Sequence, residues 1–126
     1  MSETYTQRGP VRQVMRSRLI EAATPLVDVL LYTTLPVRLQ AARLVYVEPT
    51  NDHAAKTSIA LGTSVDTANI IAATPVGTKG TGAITVLALQ MTTLPAETPI
   101  ILVHTGAAKL PGRYYLEVEY LQLGPG

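Results

Sequence analysis

Residues 113–121 read RYYLEVEYL. Tyr114, Leu116, Val118 and Tyr120 fall on alternate positions, with Arg113, Tyr115, Glu117 and Glu119 between them. A period of two with one dry and one wet face is that of a β-strand packed on a core from one side. Just upstream, residues 100–105 (IILVHT) form a second strand, bounded by Pro99 and Gly106. Residues 106–112 (GAAKLPG) join the two as a hairpin loop.

The same reading continues toward the N-terminus. Residues 83–91 (AITVLALQM) are the longest strand expected, with Ile84, Val86 and Ala88 on one side and Thr85, Leu87 and Leu89 on the other. The three glycines of residues 75–82 (PVGTKGTG) mark a solvent-exposed connection. Residues 57–61 (TSIAL) and 69–73 (NIIAA) are short strands. Val37, Leu39 and Ala41 alternate with Arg38, Gln40 and Ala42, but Leu44, Val45, Tyr46 and Val47 are all apolar. That loss of step requires a bulge near residues 41–43, followed by a segment buried on both sides. Residues 26–33 (LVDVLLYT) supply the first strand, and residues 49–55 and 92–99 are loops by composition.

Composition agrees. Thr occurs 17 times, Val 12 and Ile 7, and such side chains fit a pleated sheet better than a helix. Nine Gly and nine Pro punctuate the chain, while Phe and Trp are absent, so the core is aliphatic with a few Tyr. The expected fold is all-β: an antiparallel sandwich or jelly-roll-like domain of about seven or eight short strands over residues 25–126. At 126 residues there is room for one domain. With 47% hydrophobic residues and a net charge of +1, the chain is neither a disordered polymer nor a generic nucleic-acid binder. No apolar run approaches the ~18 residues needed to cross a bilayer.

Charge is uneven along the chain. Residues 1–18 hold Arg8, Arg12, Arg16 and Arg18 against Glu3 alone, whereas the remainder is slightly acidic. Val11, Met15, Leu19 and Ala22 recur near a spacing of four after Pro10, which suits a short helix ending before Pro25. The other reading is an extended arm that orders on a partner. Either way, residues 1–24 are set apart as a basic N-terminal arm.

Chemistry is hard to find. In residues 77–82 (GTKGTG) Lys79 sits between the glycines instead of after them, and a strand follows where a phosphate loop needs a helix. His53 and His104 are far apart and belong to no paired ligand motif, so no metal site is expected. Ser58 and Ser64 lack nucleophile-elbow glycines. Glu117 and Glu119 share one face about 7 Å apart, a spacing a glycosidase pair would tolerate. On the wet face of a terminal strand, with no Trp to stack a sugar, they read better as solvated or ion-paired groups. A glycan site would have to use the tyrosines, of which Tyr32 and Tyr115 are candidates. No catalytic residue, cofactor or metal is expected.

Residues 56–66 (KTSIALGTSVD), 94–106 (LPAETPIILVHTG) and 112–120 (GRYYLEVEY) resemble the small β-sandwich virion proteins of tailed bacteriophages. The plan, a basic arm before a compact sandwich, is most similar to head decoration, or cement, proteins, over residues 37–121. The resemblance implies a non-enzymatic protein on the outer surface of the phage head, bound to the major capsid protein, bridging neighbouring subunits and often trimeric. Arg8, Arg12, Arg16 and Arg18 are then expected to pair with acidic groups of the shell, and Met15, Leu19 and Ile20 to fill its apolar pockets. The alternative is a tail, fibre or neck β-domain that binds a host glycan or another virion protein.

Overall fold

The computed structural model describes residues 12–20, 26–50, 57–105 and 112–123. Nine strands run through them: β1 (Arg12–Arg16), β2 (Leu26–Tyr32), β3 (Val37–Tyr46), β4 (Ser58–Gly62), β5 (Ile71–Pro75), β6 (Ile84–Leu87), β7 (Thr93–Leu94), β8 (Pro99–His104) and β9 (Tyr114–Gln122). Among the described residues there is no helix. The all-β expectation holds.

The pairing is nested. β4 pairs antiparallel with β5, β3 with β6, β2 with β8 and β1 with β9. This is one long hairpin with its tip at the β4–β5 turn. Further pairing of β9 with β3 and of β8 with β4 rolls the hairpin up. Two sheets result, in the orders β1-β9-β3-β6 and β2-β8-β4-β5, with the short β7 also paired to β3. Such a double-sheeted roll of eight principal strands is a jelly roll.

Sequence periodicity explains the register. On β9, Tyr114, Leu116, Val118 and Tyr120 point into the core. β3 runs unbroken for 10 residues, and its pairing with β9 shifts between Leu39 and Ala41. The extra residue, Gln40, moves the inward face from Val37 and Leu39 to Ala42, Leu44 and Tyr46. The bulge therefore falls one position before the expected span, and Val45 beyond it is only half-buried. β6 is the larger departure, with 4 residues instead of nine. After Leu87 the chain leaves β3 and turns to the other layer, where the Gln90 amide donates to the Ile70 carbonyl at 2.7 Å.

The core lies between the sheets. Leu39, Leu44, Leu116 and Val118 of one layer meet Ile59, Leu61, Ile100 and Leu102 of the other. At one end Tyr46 and Tyr114 pack with ring centroids 6.0 Å apart and tilted by 54°. The Tyr46 hydroxyl donates to the Val76 carbonyl at 2.5 Å. His104, buried between the layers, lies with Nε2 2.6 Å from the Tyr114 hydroxyl. The expected exposed connection after β5 is partly pinned: Thr50 Oγ1 donates to the Gly77 carbonyl at 2.7 Å and accepts from the Lys79 amide at 2.6 Å.

The first part of the chain departs furthest from expectation. Arg12–Arg16 is neither a helix nor a detached arm but an edge strand, registered on β9 from Arg12 opposite Leu121 to Arg16 opposite Glu117. Ser17 extends the tie, its amide donating to the Leu116 carbonyl and its hydroxyl accepting from the Leu116 amide, each at 2.9 Å. Ile20 forms a bridge with Tyr114. The boundary expected at residue 24 thus does not separate arm from sandwich, because Met15 and Ile20 belong to the sandwich's own core.

Candidate functional site

Three strands of one sheet carry alternating charge on their outward face. β9 stands between β1 and β3, so its outward Glu117 has Arg16 directly opposite on one side and Arg43 on the other. Arg16 Nε reaches Glu117 Oε2 and Arg43 Nε reaches Glu117 Oε1, both at 2.6 Å. One row along, Glu119 takes Arg43 Nη2 on Oε2 and Arg12 Nη1, at 3.2 Å, on Oε1. Each carboxylate is bound on both oxygens, which makes a ladder of three arginines and two glutamates. Arg16 also lies over the Tyr115 ring, 5.7 Å from its centroid.

Electrostatics follow from this geometry. The hydrogen bonds from Arg16 and then Arg43 hold the Glu117 carboxyl below its usual range, against a smaller opposing effect of burial. Glu117 in turn pushes the Arg16 guanidinium up, as Glu119 and Glu117 do Arg43. A paired carboxylate cannot take up a proton or attack a sugar without breaking the ladder. The glycosidase reading of Glu117 and Glu119 loses its basis here. Outside its contacts, the ladder leaves the Arg12 and Arg16 side chains more than half exposed.

The expected contact residues divide sharply. Arg12 and Arg16 sit in the ladder, and Arg18 Nε pairs with Asp28 at 2.6 Å, tying the stretch after β1 to β2 of the other sheet. Leu19 is exposed. Met15 and Ile20 do not face a partner: both are buried, facing the core on the inward side of the same stretch. Arg8 lies outside the described residues, as does His53. His104 is buried in the core, with Nε2 2.6 Å from the Tyr114 hydroxyl. Of the tyrosines considered for a glycan, Tyr46, Tyr114 and Tyr120 are core, and Tyr32 is exposed on β2. Arg43, which anchors both glutamates, was not singled out by the sequence. The signal was present: Arg12 and Arg16, four positions apart on β1, and Arg43 on β3 flank glutamates two positions apart on β9.

No known family model matches the sequence, and no curated protein does. The fold does find counterparts. A chain of the cyanophage Pam1 capsid asymmetric unit superposes with a TM-score of 0.66 at 12% identity, covering 97% of this chain and 92% of that one. A chain of the acid-stable capsid of Helicobacter pylori bacteriophage KHP30 gives 0.60 at 14% identity, covering 90% of each. What is shared is the fold. At these identities the likeness extends to the roll and its layers.

Proposed function

We propose that this chain is a non-enzymatic structural protein of a bacteriophage head, decorating the outer surface of the assembled shell as a trimer and bridging neighbouring copies of the major capsid protein. The observation that carries the reading is the end-to-end likeness of the roll to chains of two phage capsid assemblies, with little of either chain left over. An enzyme or receptor domain would be expected to add loops that build a site. Here Arg12, Arg16 and Arg43 are spent, with Glu117 and Glu119, on holding three strands together.

The contact surface under this reading is the β1 edge and the stretch after it. Arg12, Arg16 and Arg18 present half-solvated guanidinium groups there, and Val14 and Leu19 stand exposed beside them. A rim of arginines around small apolar anchors suits an acidic, partly apolar surface, with charge setting orientation.

Purified particles test this directly. Quantitative mass spectrometry of intact virions should find the protein in hundreds of copies. Replacing Val14 and Leu19 by Ser should then lower occupancy on the shell without unfolding the roll. Absence from particles, or a handful of copies confined to the tail, overturns the proposal.

A further inference from the structure

Among the described residues, the large apolar side chains left in solvent are not scattered. Six of them form two groups of three. Val27, Val29 and Tyr32 lie on β2, with Val27 67% exposed. Ile84 and Val86 lie on β6, with Val86 80% exposed. Val47 stands beside them, because the preceding Tyr46 amide donates to the Ala83 carbonyl at 3.0 Å. The register sets each group on an outward face: Val27 and Val29 are opposite Val103 and Ile101 of β8, and Ile84 and Val86 opposite Val45 and Arg43 of β3. Both strands end their sheets, β2 paired among the described strands with β8 alone and β6 with β3 alone. Neither contains Lys, Arg or Pro, residues that commonly keep open edges apart. The one charge on the two strands, Asp28, is bound by Arg18 at 2.6 Å.

The two edges lie on different layers and on opposite sides of the sandwich. β1 and β6 are the ends of one sheet, three inter-strand spacings or about 14 Å apart. β2 lies on the β1 side, since Arg18, just after β1, reaches Asp28. Two distinct patches on opposite sides of one chain are what a head-to-tail contact uses, and rotation closes such contacts into a ring. Pairing β2 with β2 across a two-fold axis would cover one patch and leave the β6 patch in water. A repeated head-to-tail joint covers both. The charged ladder is unsuited as a cover, because apolar side chains laid over it would strip water from its arginines.

We infer that copies of this chain join head to tail, the β2 patch of one seated on the β6 patch of the next, and that three such joints close a ring. The partner at both patches is a second copy of the chain. The inference rests on the trimer of the proposed function and names its contact, while the place of the protein on a particle does not enter it. Three side chains a side make a contact well under the ~800 Å² per partner of a stable complex. A single joint is therefore weak, and closure, which holds every chain twice, makes the ring persist.

The purified full chain tests this in solution, away from any virion. Sedimentation velocity at rising concentration should show monomer passing to trimer. Val29→Glu and Val86→Lys should each weaken association about tenfold or more, since each leaves an unpaired charge in an apolar joint. Both positions are exposed, so the melting temperature of the monomer should stay that of the parent. Combined in one chain, the two changes meet across the joint and should restore the trimer. A chain that stays monomeric at every concentration, or a double variant no better than the single ones, overturns the inference. The sequence contains no cysteine, so Val29→Cys with Val86→Cys in one chain should give disulfide-linked products that stop at the trimer. Dimers from Val29→Cys alone overturn the head-to-tail arrangement, and products longer than the trimer overturn closure. Failure here leaves the count of copies in virions untouched, and absence from virions leaves the ring in solution untouched.

Discussion

His104 and Tyr114 join the two layers of the roll: Nε2 of one lies 2.6 Å from the hydroxyl of the other, with both residues fully buried. His104 ends β8 and Tyr114 begins β9, so the bond spans the sandwich where the chain crosses between sheets. Burial pushes the Tyr114 hydroxyl up to about 12, which keeps it protonated throughout the physiological range. Tyr114→Phe keeps the ring and removes the hydroxyl from His104. The expected loss is about 1–3 kcal/mol, the usual cost of taking a partner from a buried polar group. Urea unfolding of the two proteins measures it, and a loss below 0.5 kcal/mol, roughly the floor for such bonds, contradicts the account.

Acid should loosen the ladder. Glu117 has its carboxyl lowered in the folded state by Arg16 and Arg43. A group with a depressed folded pKa contributes stability that is present above its unfolded value and is lost as the pH falls through the folded one. The unfolding free energy should therefore decline from about pH 4.5 downward. Glu117→Gln should be less stable at pH 7 and show a flatter decline over the same range. Parallel curves for the two proteins would remove Glu117 from the acid response.

Gly62 ends β4 with no room for a side chain. A Cβ there would stand 2.2 Å from the Asp66 carbonyl oxygen and from the Thr67 backbone carbon. Backbone, not a flexible side chain, blocks the space, so the β4–β5 turn has to move. Gly62→Ala is expected to cost about 3 kcal/mol or more, the range of severe overpacking. Gly80→Ala, with nothing within 4 Å of its added carbon, is the control and should be near neutral. Thermal unfolding of the pair distinguishes them.

Removing residues 1–20 should not yield a trimmed but intact domain. It takes away β1 from the edge of β9, the Ser17 and Ile20 ties, and two core side chains. Met15→Ala and Ile20→Ala should each cost about 2–4 kcal/mol as buried large-to-small changes. Leu19→Ala, at an exposed position between them in the fold's own accounting of burial, should stay within about 0.5 kcal/mol. A truncated protein with the full chain's melting temperature would refute the placement of β1.

The strands at the C-terminal half were readable because one face of each is dry and the other wet. β9 alternates without a break, and even the bulge in β3 left its mark as a loss of step next to Ala41. β6 was misjudged in length since Ala88 and Leu89 continue its apolar texture after the backbone has left the sheet. β1 was hidden for a different reason. Its five residues bury only Met15, so no alternation stands out, and the Val11–Met15–Leu19 spacing imitates a helix. Its strand character comes from pairing with a segment a hundred residues away, information that local pattern does not hold. The ladder was half legible: the acids and most arginines were noted, but as separate features, since only the antiparallel register brings them together.

Nested pairing has a consequence on the ribosome. Among the described strands β1 is made before the others and its partner β9 after them, so the nascent chain carries an unmatched edge until β9 has emerged. Contacts between such distant segments also make closure slow. A prematurely terminated product lacks β9, the strand that both holds β1 and lies beside β3, and keeps two open edges prone to pairing with other chains. Synthesis through β9 is thereby a checkpoint: only a chain extended as far as Gln122 can close its roll.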